Sequence, residues 1–141
     1  MEALKSELEK CTTKNTPRFS FDCQEFLCKC IKVYDGDTIT VAFKPFPPSD
    51  NIYKYNVRLL GVDTPEIKSK NPDEKQKAME IRDLLQKKIL NKFVVIQCGS
   101  FDKYGRLLAN VYDEDKLHIN KWLVNEGYAN TYYGGTKQEF K

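Results

Sequence analysis

The amino-acid sequence predicts a mainly β domain of the α+β class, a five-stranded β-barrel with two to three packed helices. Five stretches rich in β-branched and aromatic residues are bounded by turn-forming residues. A long amphipathic segment follows the third stretch, and a shorter helical segment follows the fifth. With 141 residues, the chain can form one domain with a sizeable core.

The first three predicted strands form an antiparallel meander. The first runs from Phe26 to Tyr34, and the Asp35-Gly36-Asp37 segment after it is a strong hairpin-turn signal. The β-branched run Thr38 to Val41 predicts the second strand, and Ile52 to Leu60 predicts the third. Residues 44–51 form a loop between them, because prolines are unsuited to a central strand.

A helix is predicted after the third strand. Asn71 is a suitable N-cap, Pro72 fits the first helical position, and Glu74 stands at the capping-box offset. Asn91 is a plausible terminator. Apolar residues that fall on one face of this helix are Ala78, Ile81, Leu84, Leu85 and Ile89.

The remaining elements are two strands and a last helix. Phe93 to Gln97 and Leu107 to Tyr112 predict the strands, which a turn-rich connection joins. Asn120 is then predicted to cap a helix that Gly127 ends. Five strands with a helix after the third are typical of a small, partly open barrel of the oligonucleotide-binding (OB) type.

Domain organisation follows from the same reading of the chain. Residues 1–22 are predicted to be an N-terminal extension, a short helix followed by a polar linker. Residues 23–133 form the main domain, and residues 134–141 are predicted to be a flexible C-terminal tail. We expect a monomer.

Composition excludes several classes of protein. No apolar run approaches the ~20 residues that span a bilayer, so no membrane association is predicted. The N-terminus has none of the features of a signal peptide, and an odd number of cysteines argues for a reducing compartment. We therefore expect an intracellular, cytoplasmic protein. The net charge of +3 is compatible with nucleic-acid binding but does not by itself indicate it.

Cysteine and histidine offer little as metal ligands or catalysts. A zinc site is conceivable, but its four cysteines lack paired Cys-x-x-Cys spacing, and buried or free thiols are favoured. His118 is the only histidine, so mechanisms that need two histidines are excluded, and a surface or turn position is favoured for it. The four candidate zinc ligands are Cys11, Cys23, Cys28 and Cys30.

Carboxylates and arginines border the predicted strands in a pattern that suits phosphodiester chemistry. Asp37 and Asp63 each lie where a strand meets a turn, and such oxygen ligands suit calcium or magnesium. Glu66 follows Asp63 by three residues, where it can position a water or take its proton. Arg58 and Arg106 can bind phosphate oxygens. Together they point to metal-assisted hydrolysis of a phosphodiester.

Each of these residues also has a simpler explanation. Asp35-Gly36-Asp37 alone more often marks a hairpin than a metal site. Asp63-Thr64-Pro65-Glu66 alone is better read as a helix start with Glu66 as capping partner. Arg58 can be an outward-facing strand residue, and a hairpin-end arginine such as Arg106 is usually solvated. It is their conjunction in one short domain that favours a site.

Three sequence blocks resemble the staphylococcal nuclease (thermonuclease) family. The similarity runs in the family's order from about Phe26 to Tyr133, and the segment from Asn120 to Ala129 adds to it. The second block is highly specific. The blocks are Val33-Tyr34-Asp35-Gly36-Asp37-Thr38, Arg58-Leu59-Leu60-Gly61-Val62-Asp63-Thr64-Pro65-Glu66 and Asp102-Lys103-Tyr104-Gly105-Arg106.

The resemblance implies a metal site and a water-handling carboxylate. Asp37 and Asp63, with the main-chain carbonyl of Thr64, would ligate a divalent cation. Calcium is the cation that the family typically uses, with magnesium or manganese as alternatives. Glu66 would be the general base or would orient the attacking water.

The resemblance also implies the substrate contacts and the products. Arg58 and Arg106 would bind the scissile phosphate, and Tyr104 would lie near the nucleotide. Members cut DNA and RNA and leave 3′-phosphate ends. Low sequence specificity is expected for this chain because no base-reading motif is visible in it. The alternative is an inactive module that binds nucleic acid or a protein. Loss of a site residue would indicate such a module, but all of them are present: Asp37, Arg58, Asp63, Glu66 and Arg106.

Overall fold

The computed structural model describes residues 1–132, so the tail predicted at residues 134–141 lies outside the described residues. Three helices are present within these residues: α1 Glu2–Glu9, α2 Pro72–Ile89 and α3 Ile119–Asn125. The strands are β1 Glu25–Val33, β2 Thr38–Phe43, β3 Tyr53–Leu59, β4 Val62–Asp63, β5 Phe93–Phe101, β6 Leu107–Tyr112 and β7 Asn130–Thr131.

Five strands form a closed barrel in the order β1-β2-β3-β6-β5, which confirms the predicted fold class. Strand β1 pairs antiparallel with both β2 and β5, and β3 pairs with β6 in parallel. That parallel pairing, from Val57↔Leu107 to Leu59↔Ala109, closes a barrel expected to be partly open. Two short strands that were not predicted, β4 and β7, pair in a separate sheet beside it.

Alternation along the strands fills the barrel interior. Val57 and Leu59 on β3 are fully buried, and so are Ile39 and Val41 on β2. Helix α2 adds Ala78, Ile81, Leu85 and Ile89 to the buried set. Leu84, predicted on that face, is 38% exposed.

Strand β5 is longer than predicted. It continues to Phe101 through a register shift between Cys98 and Phe101, in a stretch expected to be a turn. A β-bulge of this kind lets a strand absorb extra residues and strengthens its local twist. The bulge lies just before the loop that carries Arg106.

The N-terminal segment differs in burial along its length. Residues 1–19 are exposed, including Leu4 and Leu8 of α1. Phe21 is 7% exposed and belongs to the core cluster. Its ring packs edge-on against Phe26, with centroids 5.5 Å apart.

The prediction that Asn120 caps the last helix is wrong. The N-cap of α3 is His118, and Asn120 lies inside the first turn, 3% exposed. Its side chain accepts from the Val111 N–H at 2.9 Å and donates to the carbonyls of Leu60 and Ala109 at 2.9 and 3.2 Å. An amide carries both donors and an acceptor, so it can bridge strand ends, a role that local sequence does not reveal.

None of the helices in the described part of the chain combines the length and the apolar character that crossing a bilayer requires.

Candidate active site

One cleft of about 670 Å³ collects most of the predicted site residues. It lies where the β1–β2 turn, the end of β3, the segment after β4 and the β5–β6 loop meet. The predicted residues that line it are Asp37, Arg58, Glu66, Tyr104 and Arg106. Asp63 and Thr64 are buried beside these residues, 2% and 1% exposed.

Gly36 brings Asp37 against the other half of the site. A Cβ built on Gly36 would lie 2.8 Å from the side chains of both Ile81 and Thr64. The β1–β2 turn therefore packs so closely on α2 and on the segment after β4 that only glycine fits. The Asp37 carboxylate then accepts from the Thr64 N–H at 3.1 Å and from the Thr38 hydroxyl at 3.1 Å.

Arg58 joins the two aspartates. Its Nη2 lies 3.6 Å from Asp37 Oδ2 and 3.6 Å from Asp63 Oδ1. Its Nη1 donates to the main-chain carbonyls of Leu59 and Val62 at 3.0 and 2.9 Å. The arginine side chain is 11% exposed, so these contacts offset the cost of burying its charge.

Asp63 owes its position to the unpredicted sheet. It is the second residue of β4, and it pairs with Asn130 of β7. This pairing fixes its backbone, and its carboxylate lies 3.6 Å from the guanidinium nitrogen that also contacts Asp37. The two carboxylates thus share the Arg58 guanidinium.

Glu66 does not start a helix. It lies in a non-helical segment, and α2 begins six residues later with Asn71 as N-cap. The Asn71 side chain accepts from the N–H groups of Asp73 and Glu74 at 2.9 and 3.4 Å, as its cap role predicts. Glu74 reaches Ser69 Oγ at 2.6 Å. No helix starts at Asp63, so the interpretation of Glu66 as the capping partner of such a helix is wrong. Glu66 lines the cleft instead.

The β5–β6 loop holds Arg106 in place. The Asp102 carboxylate accepts from Arg106 Nε at 2.7 Å and from the Arg106 N–H at 2.9 Å. Burial acts to raise the pKa of Asp102, but hydrogen bonds from the Arg106 and Tyr104 N–H groups and the Arg106 guanidinium bring the pKa below its ordinary value. Arg106 Nη1 also donates to Thr38 Oγ1 at 3.5 Å.

Tyr104 stands at the rim of the cleft, 73% exposed. The guanidinium of Arg106 lies 5.5 Å from the centre of its ring, and the Lys103 ammonium lies 5.1 Å from it. Both cations are within the range of cation–π attraction. The two cations thus hold the Tyr104 ring against the loop, and the ring still exposes surface to a ligand.

Asp35 is a buried carboxyl beside the site that the sequence did not single out for a role. Burial and then the negative charge of Asp37 raise its pKa to about 7. Its Oδ1 accepts from the Asp37 N–H at 3.1 Å, which shapes the turn. Asp35 thus supports Asp37, as Asp102 supports Arg106. The only sequence signal that pointed to Asp35 was its position in the Asp35-Gly36-Asp37 turn motif.

The cysteines and the histidine lie apart from this chemistry. All five cysteines are free thiols, and burial is the main cause that raises the pKa of Cys28 to about 12 and of Cys98 to about 11. Within residues 1–132, no group of three or more His, Cys, Asp or Glu side chains is arranged to hold a metal, so the zinc alternative gains no support. His118 stacks on Tyr112 with ring centres 4.7 Å apart.

The model of the family described as staphylococcal nuclease homologues matches residues 56–141. That is more than half of the chain, and the chain belongs to this family. Arg58, Asp63, Glu66 and Arg106 fall inside the matched stretch, whereas Asp37 precedes it.

Individual relatives agree with that assignment. The chain is 32% identical to an uncharacterised protein of Methanocaldococcus jannaschii, over 83% of this chain and 65% of that protein. It is 28% identical to an uncharacterised endonuclease of Escherichia coli O157:H7, over 78% and 63% of the two chains. It is 33% identical to a thermonuclease of Staphylococcus hyicus, over 72% and 56%. The chain thus spans less than two thirds of the length of these relatives.

Proposed function

We propose that this protein is a metal-dependent endonuclease that hydrolyses phosphodiester bonds of DNA or RNA with low sequence specificity. The observation that carries the proposal is one cleft lined by two arginines and by Asp37 and Glu66, with Asp63 against Arg58. Arginines match phosphate geometry, and carboxylates can handle a cation and a water. The names of the endonuclease and thermonuclease relatives support the same activity.

The residues present fit a hard divalent cation. Asp37 and Asp63 contact the same guanidinium nitrogen, and the Thr64 N–H donates to Asp37. With the Thr64 carbonyl that the family resemblance implies as a ligand, the two carboxylates would give an all-oxygen donor set. Such a set suits calcium, with magnesium or manganese as alternatives. No group of three or more His, Cys, Asp or Glu side chains in the described residues is arranged to hold a metal, so the set would depend on main-chain oxygen as well. When bound, the cation would neutralise charge on the phosphate and lower the pKa of a water.

Arg58 shares its aspartate partners with the proposed cation site. Arg58 Nη2 offsets the buried charge of Asp37 and Asp63 at 3.6 Å from each. If these aspartates held a cation, the guanidinium would be less needed as their counter-ion and would be available to a phosphate in the cleft. Cation binding and phosphate binding would then be coupled in the positive sense.

The other cleft residues have separate roles. Glu66 accepts the proton of the attacking water, or orients that water. Arg106 is preorganised by Asp102, so it can stabilise the charge that develops on the phosphate at little reorganisation cost. The Tyr104 ring is exposed at the rim of the cleft, where it can contact a nucleotide. Departure of the 5′-oxygen would leave a 3′-phosphate end.

Substitutions at Glu66 and Arg106 test the proposal directly. Glu66→Gln and Arg106→Gln should each lower kcat on single-stranded DNA by about 10²-fold or more, because a base or a charge-stabilising group is lost. Lys87→Gln, exposed on α2, is the matched control and should retain full rate. End-group analysis of the products should find 3′-phosphates.

Two outcomes would contradict the proposal. Near-normal rates in both site variants would remove these residues from the mechanism. A wild-type protein that binds oligonucleotides in the presence of every divalent cation tested but never cleaves them would instead identify an inactive binding module.

A further inference from the structure

A second groove, of about 690 Å³, crosses the outer face of the barrel. We call it the outer groove, and Lys32, Thr40, Lys54, Tyr55 and Asn56 form its floor. Lys32, Thr40 and Asn56 are direct neighbours across β1, β2 and β3. Lys54 precedes Asn56 by two residues, so both side chains share one face of β3. The Thr40 hydroxyl donates to Asn56 Oδ1 at 2.9 Å.

The outer groove is continuous with the cleft of the candidate active site. Tyr104 and Arg106 line both of them. The Tyr55 hydroxyl donates to the Gly105 carbonyl at 2.6 Å. Because Gly105 lies between Tyr104 and Arg106, this hydrogen bond ties the β5–β6 loop to strand β3. A chain-like ligand whose reacting group lies at Arg106 can therefore continue past Tyr104 onto the sheet without leaving the surface.

The charge of the outer groove has one sign. Its charged lining residues are Lys32, Lys54 and Arg106, and in the part of the chain that is described no carboxylate lines it. The active-site cleft, by contrast, includes Asp35, Asp37 and Glu66 beside its arginines. A groove with only basic charges favours a ligand that carries regularly placed negative charge.

An aromatic ring adds a second kind of contact. Tyr104 is 73% exposed and lines the outer groove, so its ring presents surface to a ligand there. Base stacking on aromatic side chains contributes about 1–3 kcal/mol per base in single-stranded complexes. Bases within a duplex cannot make such contacts, so rings of this kind suit a strand whose bases are unpaired.

We propose that the outer groove binds the stretch of a single polynucleotide strand that flanks the phosphodiester held in the active-site cleft. Lys32 and Lys54 contact its phosphates, and Tyr104 contacts its bases. This inference rests on the proposed nuclease function and extends it, because it makes affinity depend on substrate length beyond the reacting nucleotides.

Length-dependent binding and cleavage test the inference. The probes are a dinucleotide, whose single phosphodiester is the reacting one, and a 12-nucleotide single strand. Kd is measured in chelator and kcat/KM is measured with calcium. The double variant Lys32→Gln with Lys54→Gln should weaken binding of the 12-nucleotide strand about ten-fold at low salt. Its plot of log K against log salt should become less steep by about 1.4, the value for two phosphate contacts to a single strand. Cleavage of the dinucleotide should change less than two-fold.

A charge-matched control separates site effects from net charge. Lys87→Gln with Lys121→Gln removes the same charge from exposed positions that line neither groove, and it should leave both probes unaffected. Unchanged binding of the long strand by the Lys32 and Lys54 variant would overturn the inference. So would equal losses for both probes, or an equal loss in the control. A wild-type protein that neither binds nor cleaves either probe would overturn the proposed function itself, and this inference with it.

Discussion

Arg58 is the residue on which the site depends most. It lies in a strand between fully buried neighbours, and its guanidinium contacts two aspartates and two main-chain carbonyls. Two buried carboxylates next to each other would repel, and each would lose its hydration. The arginine is therefore a structural counter-ion as well as a proposed phosphate ligand, and the two roles can be measured separately.

Replacing Arg58 should cost stability as well as activity. Arg58→Gln leaves Asp37 and Asp63 buried without a cationic partner, and we expect a loss of about 3 kcal/mol in the free energy of unfolding in chelator. Denaturant unfolding measures it, and calcium should recover part of the loss. Arg82→Gln, which removes an exposed ion pair with Asp83, is the control and should change stability by less than about 1 kcal/mol. Equal stability of Arg58→Gln and wild type would contradict the counter-ion role.

Gly36 fixes the distance between the two halves of the site. Gly36→Ala places a Cβ 2.8 Å from Ile81 and Thr64 side chains, so the turn or its neighbours must shift. We expect a loss of about 1–3 kcal/mol in stability and a weaker cation affinity, because Asp37 moves with the turn. The control is Gly99→Ala, whose Cβ would meet Leu108 at 3.4 Å, an ordinary contact. Unfolding in chelator measures the stability, and unfolding at increasing calcium concentrations measures the cation affinity. Wild-type values of both quantities for Gly36→Ala would contradict this account.

At the scale of elements, the sequence pattern correctly predicted the strands and helices that depend on interactions between residues close together in the chain. The barrel strands and α2 were predicted because alternation, turn residues and an Asn-Pro helix start act within a few residues of each other. The β4–β7 sheet was not predicted, because two-residue strands form only through a partner distant in the chain. The Asn120 cap was predicted wrongly for the same reason, since tertiary hydrogen bonds outcompeted a local one.

Asn120 ties α3 to two strands and should be costly to remove. Asn120→Ala removes a buried partner from the Val111 N–H and from the carbonyls of Leu60 and Ala109, and we expect a loss of about 3 kcal/mol. The Ala109 carbonyl still accepts from the Leu60 N–H at 2.8 Å. Thermal and denaturant unfolding measure the loss. The matched control, Asn125→Ala at the exposed end of the same helix, should be neutral or slightly stabilising. If Asn120→Ala were as stable as the control, the bridging hydrogen bonds would contribute nothing.

At the scale of the whole molecule, barrel closure assembles the site from distant segments. The β3–β6 pairing aligns Arg58 with Leu108, two residues after Arg106. The β2–β3 pairing aligns Arg58 with Thr38, the residue after Asp37. Sequence blocks predicted which residues to consider, but the shared contact of Arg58 with both aspartates and the support of Arg106 by Asp102 depend on this closure. The outer groove likewise exists only once three strands lie side by side.

Cation dependence of cleavage tests the central claim most directly. The measurement is the initial rate of cleavage of plasmid and single-stranded DNA by the wild-type protein, with calcium, magnesium, manganese or excess chelator. We predict cleavage with at least one cation, highest with calcium, and none in chelator, and a shift of the calcium dependence to higher concentration in Asp37→Asn. Cleavage that persists undiminished in excess chelator would contradict the claim.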